Sequence, residues 1–407
     1  MKDYRSTEEM LNFSPALSAL SQSVVARLKP QAVREGTGTG PEPDGKLPFL
    51  EAFERMPNAS YAECLAQGIV DSWLTAPVVI YDEDLLVGVP RPHRPLVEHF
   101  SSGIQYHTWV LDHCDIYKKD ADEIRSRIEA QSSRLFPMNY NHVAEEGNRI
   151  FGKDVYSSLF RLWSPGGYQG HTVPNYPRLL KRGISGTLAD VRKYASNTSD
   201  EEKLTFYRAL EILLHGLTDY MLLYADKAEE LATASDDSAK AIRYRRIAEN
   251  CRAVSFEPPH TLYQAAQLTW FYSLWDWVDC VGRTDQYLYP FYQKAAEKAD
   301  VFPSEDILAA LFLKFMEHGV HNIPLGGVKP EDGSDATNEI TFLFLQLARR
   351  LHTTHPRLCA RIHENSPSEL MQLIVKMWSE GMSDPTLVSD KLVIEGLMEY
   401  GVPIEDA

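Results

Sequence analysis

The sequence has no run long enough to cross a bilayer, little cysteine and no excess of basic charge. Its longest apolar stretches, such as "ILAALFLKF" from Ile307, fall well short of the roughly 20 residues a spanning helix needs and read as core helix. The opening "MKDYRSTEEMLNF" lacks an apolar h-region, so no secretory signal is expected and the cytoplasm is the expected compartment. The five cysteines, Cys64, Cys114, Cys251, Cys280 and Cys359, are scattered, odd in number and without CxxC spacing. That argues against a disulfide framework and for thiols that are mostly buried. A formal net charge of -16 over 407 residues offers no basic face for phosphates, so neither nucleic acid nor membrane is an expected partner. There is no internal repeat and no long low-complexity linker.

What is present is enough apolar residue, 44%, for a large core, arranged mostly with helical spacing. "REGTGTGPEPDGKLP", Arg34 to Pro48, reads as a flexible connection after an N-terminal helix. The expected division is therefore 1–48, helix and connection, and 49–407, one body. Ser199 and Glu202 have capping-box spacing. Behind them Tyr207, Leu210, Leu214, Leu217, Met221, Tyr224 and Ala228 mark one buried stripe. A second helix holds Ile242, Ile247 and Cys251 and stops at "SFEPPH". Thr261 and Gln264 repeat the capping spacing and open a helix, "LYQAAQLTWFYSLWDW", that is apolar on nearly every side. Further helices are expected from Ser304 to Gly319, from about Asn338 to His352 and from Ser366 to Gly381. Strand signals are fewer: two short runs in "APVVIYDEDLLVGV" from Ala76, and the alternation of "RLCARIH" from Arg357. The fold class these patterns predict is helix-rich α/β with one large core.

Candidate chemistry narrows quickly. His318 and His321 are three apart, as are His352 and His355, with His363 nearby, but no HExxH or cysteine partner accompanies them, and no metal is expected. "EDGSDATNE" from Glu331 fails the EF-hand spacing; Asp335 is expected to cap the next helix while Gly333 turns the chain. "LGG" at Leu325 lacks the rest of a P-loop. The glycines of "GGYQGHTVPNYPRLL" from Gly166 allow either a tight surface loop or a pocket wall presenting His171. Cys280 is flanked by Asp276 and Asp279, which disfavour a thiolate; Arg283 is expected to pair with Asp285 or another buried carboxylate. A hydrolase built on Cys280 is thus the weakest of the enzymatic readings.

Several segments together resemble one family. "GRTDQYLYPFY" from Gly282 is similar to the GRxDQYxYPYY segment of glycyl radical enzymes, the pyruvate formate-lyase and glycerol dehydratase group. "DLLVGV" from Asp84, "GHTVPNYPRLLKRGISG" from Gly170, "LGGVKPEDGSDATNEIT" from Leu325, "HPRLCARIHENSP" from His355 and the run from Glu380 to Ala407 follow in the family's order. Asn175 stands where aspartate is usual. The resemblance implies the N-terminal half of a ten-stranded α/β barrel with surrounding helices. It implies C–O, C–N, C–S or C–C cleavage of a small-molecule substrate by thiyl-radical hydrogen abstraction, with dehydratase or lyase chemistry favoured. It further implies a homodimer and a radical S-adenosylmethionine activating enzyme as partners. The cysteine, the glutamate base and the radical glycine would lie beyond Ala407. The chain would then hold no catalytic residue or cofactor of its own and be inactive alone. Carried over by motif, the substrate-binding set is His171, Trp277, Val278, Asp279 and His321. Trp277 and Val278 replace a polar His-Ser pair of the glycerol-dehydrating branch, so a glycerol substrate is not expected. Two alternatives stay open: a naturally shortened scaffold that binds a ligand or partner, and formate C-acetyltransferase-like activity.

Overall fold

A computed structural model of the chain describes residues 15–28, 47–88, 120–131, 134, 149–150, 173–274, 280–298, 300–318, 320, 322–353 and 355–404. The expected connection lies almost wholly outside the described residues, as do His171, Trp277, Val278, Asp279 and His321.

The first half is helical: α1 (Pro15–Leu28), α2 (Pro48–Arg55), α3 (Tyr61–Leu74), α4 (Ala121–Ala130), α5 (Tyr176–Ser196), α6 (Glu201–Ala234), α7 (Ser238–Val254) and α8 (Leu262–Ser273). Capping sets most starts. Ser60 and Glu63 form a reciprocal capping box for α3. The long α6 carries the predicted stripe, with Leu214, Leu217, Met221, Tyr224 and Ala228 buried. Its cap, however, is Asp200, whose carboxylate accepts from the amides of Glu202 and Lys203. Aspartate is one position closer than Ser199 and takes over its role. In α7 Ile247 and Cys251 are buried, whereas Ile242 is 56% exposed, on the opposite face.

Helices α3 and α7 both pack on α6. At the α3 crossing, a Cβ on Gly216 would stand 2.2 Å from Val70 Cγ2, so only glycine permits this approach. Helix α8 is the centre of the core. It touches α5 and α7, together with α10 (Tyr289–Glu297) and α11 (Ser304–His318), and ten of its twelve residues are buried, which answers to its all-round apolar pattern. Thr261 caps α8 as expected, but Gln264 reaches back to the amide of His260 rather than that of Thr261.

The predicted strands from Ala76 do not form: residues 76–88 contain no strand. Their backbone bonds instead go to side chains of α8. Gln267 Nε2 donates to Val87 O (2.8 Å), and Gln267 Oε1 accepts from Val87 N (3.0 Å). Tyr263 Oη donates to Leu85 O and Trp270 Nε1 to Gly88 O. A helix thus supplies the donors and acceptors a neighbouring strand would offer.

After the single turn α9 (Thr284–Tyr287) and α10–α11, the chain enters a parallel sheet: β1 (Asn322–Gly326), α12 (Glu339–Leu351), β2 (Arg357–Ile362), α13 (Ser368–Ser379), β3 (Thr386–Ser389) and α14 (Asp390–Glu399). The order is β1–β2–β3, with Asn322 opposite Arg357 and Cys359 opposite Thr386. Of these strands only β2 was legible from its alternation. Gly333 turns the chain in the left-handed region (φ 68°), as expected. The cap of α12 is Asn338, not Asp335: its Oδ1 accepts from the amides of Ile340 and Thr341.

Candidate functional site

Three stretches of chain meet at the amino end of β1. Cys280 pairs with Asn322 in a parallel bridge, so the residues immediately following Asp279 and His321 in sequence lie side by side. Val173, two residues beyond His171, lies against Gly282, where an added Cβ would be 2.9 Å from Val173 Cγ1. Tyr176, at the start of α5, stacks on Tyr287 with ring centroids 5.3 Å apart. The Tyr176 hydroxyl bonds to Ser273 at 2.9 Å. Tyr287 Oη donates to Val281 O at 2.9 Å. Burial pushes both phenols up, and nearby Cys280 adds to the shift at each, which places the thiol beside this aromatic wall. Cys280 Sγ accepts from the Gly282 amide at 3.4 Å. These contacts make Cys280 part of the wall.

A polar cluster occupies the other end of the same strand. The Arg283 guanidinium donates to the carbonyls of Gly326 (2.5 Å) and Val328 (2.9 Å). Among the described residues the expected pairing of Arg283 with a carboxylate does not form: the loop Gly326–Gly327–Val328 turns two carbonyls toward it, and these take the fork. Asp285 Oδ2 accepts from Gly326 N (2.8 Å) and from Thr341 Oγ1 (2.6 Å). Gln286 Nε2 donates to Ala336 O, and Asn338 Nδ2 to Asp285 O. On the far side Arg361 Nε meets Asp390 Oδ1 at 2.6 Å, while Asp390 Oδ2 accepts from Val328 N. Gly327 has φ 86°, and a Cβ there would be 2.5 Å from Asp390 Oδ2. Gly326 is thus held through both its carbonyl and its amide by "GRTDQ", Gly327 O by the amide of Ala336, and the Val328 amide by the first residue of α14.

The electrostatics follow burial. Asp285 is fully buried, and desolvation raises its carboxyl, with Thr341, the Gly326 amide and the approach of Gln286 pulling the other way. Its Oδ1 accepts no bond of hydrogen-bonding geometry. Burial, then the nearby Arg361, lowers Arg283. Charged groups that mostly meet neutral partners do one thing well: they fix backbone. Among the described residues of this cluster no nucleophile and base are in contact. Among the described residues no group of three or more His, Cys, Asp or Glu could hold a metal; His363 instead lies 3.1 Å from Asp335 Oδ1.

The described flanks of all three segments carrying the expected pocket residues therefore converge, while those residues themselves lie outside the described ones. Arg361, Asp390 and Thr341 were not singled out from the sequence. Asn338 and Thr341 belong to the "DATNEIT" run that carries the resemblance, a signal that could have found them. Asp390 and Arg361 likewise lie in runs that carry the resemblance, but the partners of Asp390 are 62 and 29 residues away in sequence, so nothing local marked it.

Comparison with known proteins places this geometry. A family model described as pyruvate formate lyase-like matches residues 52–407. The chain is 25% identical over 406 residues to the (2S)-3-sulfopropanediol dehydratase of Klebsiella oxytoca, covering 88% of this chain and 48% of that protein. It is 27% identical over 255 residues to the trans-4-hydroxy-L-proline dehydratase of Clostridioides difficile, covering 56% of this chain and 32% of that protein. Its fold is similar to the glycerol-bound B12-independent glycerol dehydratase from Clostridium butyricum, with a TM-score of 0.74 at 19% identity, over 97% of this chain and 53% of that one. The chain spans about half the length, or less, of the relatives it matches.

Proposed function

The chain belongs to the pyruvate formate lyase-like family, and from that membership we propose that it forms the N-terminal portion of a glycyl radical dehydratase or lyase acting on a small functionalised substrate. The observation that carries the reading is the convergence at the amino end of β1: Val173 against Gly282, and Cys280 paired with Asn322, bring the flanks of three separate segments to one place. In this reading His171, Trp277, Val278, Asp279 and His321 line the pocket, and the three-stranded sheet is part of a larger barrel. The radical relay, a thiyl cysteine fed by a glycyl radical that a radical S-adenosylmethionine enzyme installs, is supplied from outside residues 1–407.

What this chain does is bind, orient and exclude water. Tyr176, Tyr287 and Cys280 form an apolar wall beside the pocket, which keeps water from a reactive intermediate. Trp277 and Val278 make one side apolar, so a substrate with a single polar end fits better than glycerol. His171 and Asp279 bind a hydroxyl or amine and can hold a proton at the leaving group. The relatives' substrates named above, a sulfonated propanediol and a hydroxyproline, both carry a hydroxyl on carbon beside another functional group, the class we assign here.

The test is electron paramagnetic resonance of the assembled protein after anaerobic activation, followed by a screen of vicinal diols, amino alcohols and hydroxylated sulfonates. A glycyl signal that decays on addition of one of these substrates is expected. An activated protein with no such signal would remove the enzymatic reading and leave that of a binding scaffold.

A further inference from the structure

Helices α3 and α6 leave a groove beside their crossing. It begins at the Glu63–Arg208 pair (2.8 Å), passes the close approach of Val70 to Gly216, and reaches Leu74 and Asp219. The cavity there measures about 550 Å³, within the roughly 300–1,000 Å³ that small-molecule sites occupy. Its apolar lining is Val70, Leu74 and Ile212, with Gly216 adding no side chain. Its charges do not balance: Glu63, Glu211 and Asp219 stand against Arg208 alone among Lys and Arg. That one guanidinium is shared between Glu63 and Glu201. Glu211 meets Arg192 at 3.4 Å, and His215 Nε2 accepts from the same arginine, also at 3.4 Å. Gln67 Nε2 donates to Asp71, which leaves the Gln67 carbonyl as an acceptor. Asp219 is exposed and has no hydrogen bond or ion pair among the described residues.

We propose that this groove binds a linear aliphatic polyamine of spermidine length. One ammonium meets Glu211, the other meets Asp219, and the methylenes between them cover Ile212 and Val70. Three observations select this occupant. The surplus of carboxylate calls for a cation and turns away phosphates and carboxylic acids. Glu211 and Asp219 are eight residues apart on α6, about 12 Å along the axis, a span that an extended spermidine chain matches. A bare metal ion does not suit the groove, because among the described residues no three His, Cys, Asp or Glu come together to hold one. The apolar lining between the two carboxylates suits a ligand whose charges are separated by hydrocarbon. The site lies apart from the convergence at β1 and is independent of the enzymatic reading.

The experiment is titration calorimetry of the full-length protein, in the assembly it forms, against spermidine at low salt. Saturable binding at one site per chain is expected. Butylamine, which has a single ammonium, should bind at least tenfold more weakly, because one charge-assisted contact is lost. Asp219→Asn should weaken spermidine at least tenfold. Asp219 is exposed and has no partner among the described residues, so the circular dichroism and urea midpoint of that variant should match the parent. Glu202→Gln removes an exposed carboxylate outside the groove and should leave the affinity within twofold. No saturable binding, whatever else covers the groove in the assembly, would overturn the proposal. So would equal affinities for spermidine and butylamine, or an equal loss from Glu202→Gln and Asp219→Asn, either of which marks attraction to a generally acidic surface. Because the readout is binding and not turnover, an assembled protein without a glycyl signal leaves this test intact.

Discussion

Two buried polar clusters in this protein solve opposite problems. In the helical layer Lys314, on α11, meets Asp84 at 3.1 Å and Glu317 at 3.5 Å, and all three side chains are at most 2% exposed. Charge there answers charge, and Asp84 also accepts from the Tyr81 amide. The effect is to clamp residues 81–88 onto α8 and α11. At the strand ends Asp285 is also buried and Arg283 half-buried, yet their bonds go to carbonyls, an amide and a hydroxyl. The first cluster holds elements together through net attraction. The second shapes one loop, Gly326 to Val328, and uses charge because charged donors and acceptors make the stronger bonds. The difference teaches that burial of a charge does not by itself reveal its role; the identity of its partners does.

That contrast can be broken in order of effect. Lys314→Ala should be the most damaging change, costing about 3–5 kcal/mol, because Asp84 and Glu317 would stay buried without that cation. Urea unfolding measures it, and a loss under 1 kcal/mol would show the cluster is not an ionic clamp. Gly327→Ala should cost about 1–3 kcal/mol, from the left-handed backbone and the crowding of Asp390. It should also loosen α14, read as faster amide exchange at residues 390–394.

Asp285→Asn tests the second cluster through pH. Burial raises the Asp285 carboxyl above its ordinary 3.8. Between that value and the raised one, the folded state holds a proton that the unfolded chain has released. Stability therefore falls as pH climbs through this window, and below 3.8 that loss is absent. Asparagine cannot ionise, so the variant should lose this slope and be the more favoured form, relative to the parent, at neutral pH than in acid. Matching urea midpoints for parent and variant at every pH would refute the assignment. The smallest effect belongs to a surface reference. Arg208→Ala removes exposed pairs with Glu63 and Glu201 and should move the urea midpoint least of the four, by a shift that shrinks further with added salt.

Much of the helical layer was readable because periodicity reports one buried face, as on α6, and because all-round apolarity marks α8 as central. The caps were less so. Ser199 and Asp200 are both good caps, and the sequence does not say which backbone turn closes first. The strands at Ala76 were misread for a related reason: an apolar, β-branched run looks the same whether its backbone is satisfied by a strand or by the side chains of Gln267, Tyr263 and Trp270. β1 alternates in burial over its first four residues but is only five long and carries a proline, and β3 is half buried along three of its four residues, so neither stood out as a strand.

The candidate site divides in the same way. The motif "GRTDQ" announced that Arg283 and Asp285 mattered and tied the chain to a family. It did not say that Arg283 would hold carbonyls instead of a carboxylate. Residue types and their spacing along the chain decide helix periods, caps and motif identity, because those depend on neighbours within a turn or two. Which groups meet across 29, 45 or 62 residues, as Asp390 with Arg361, Arg283 with Val328, and Asp390 again with Val328, is decided only when parallel strands bring their ends together. Those long-range pairings build the loop at the strand ends, and they follow from packing, on which local sequence is silent.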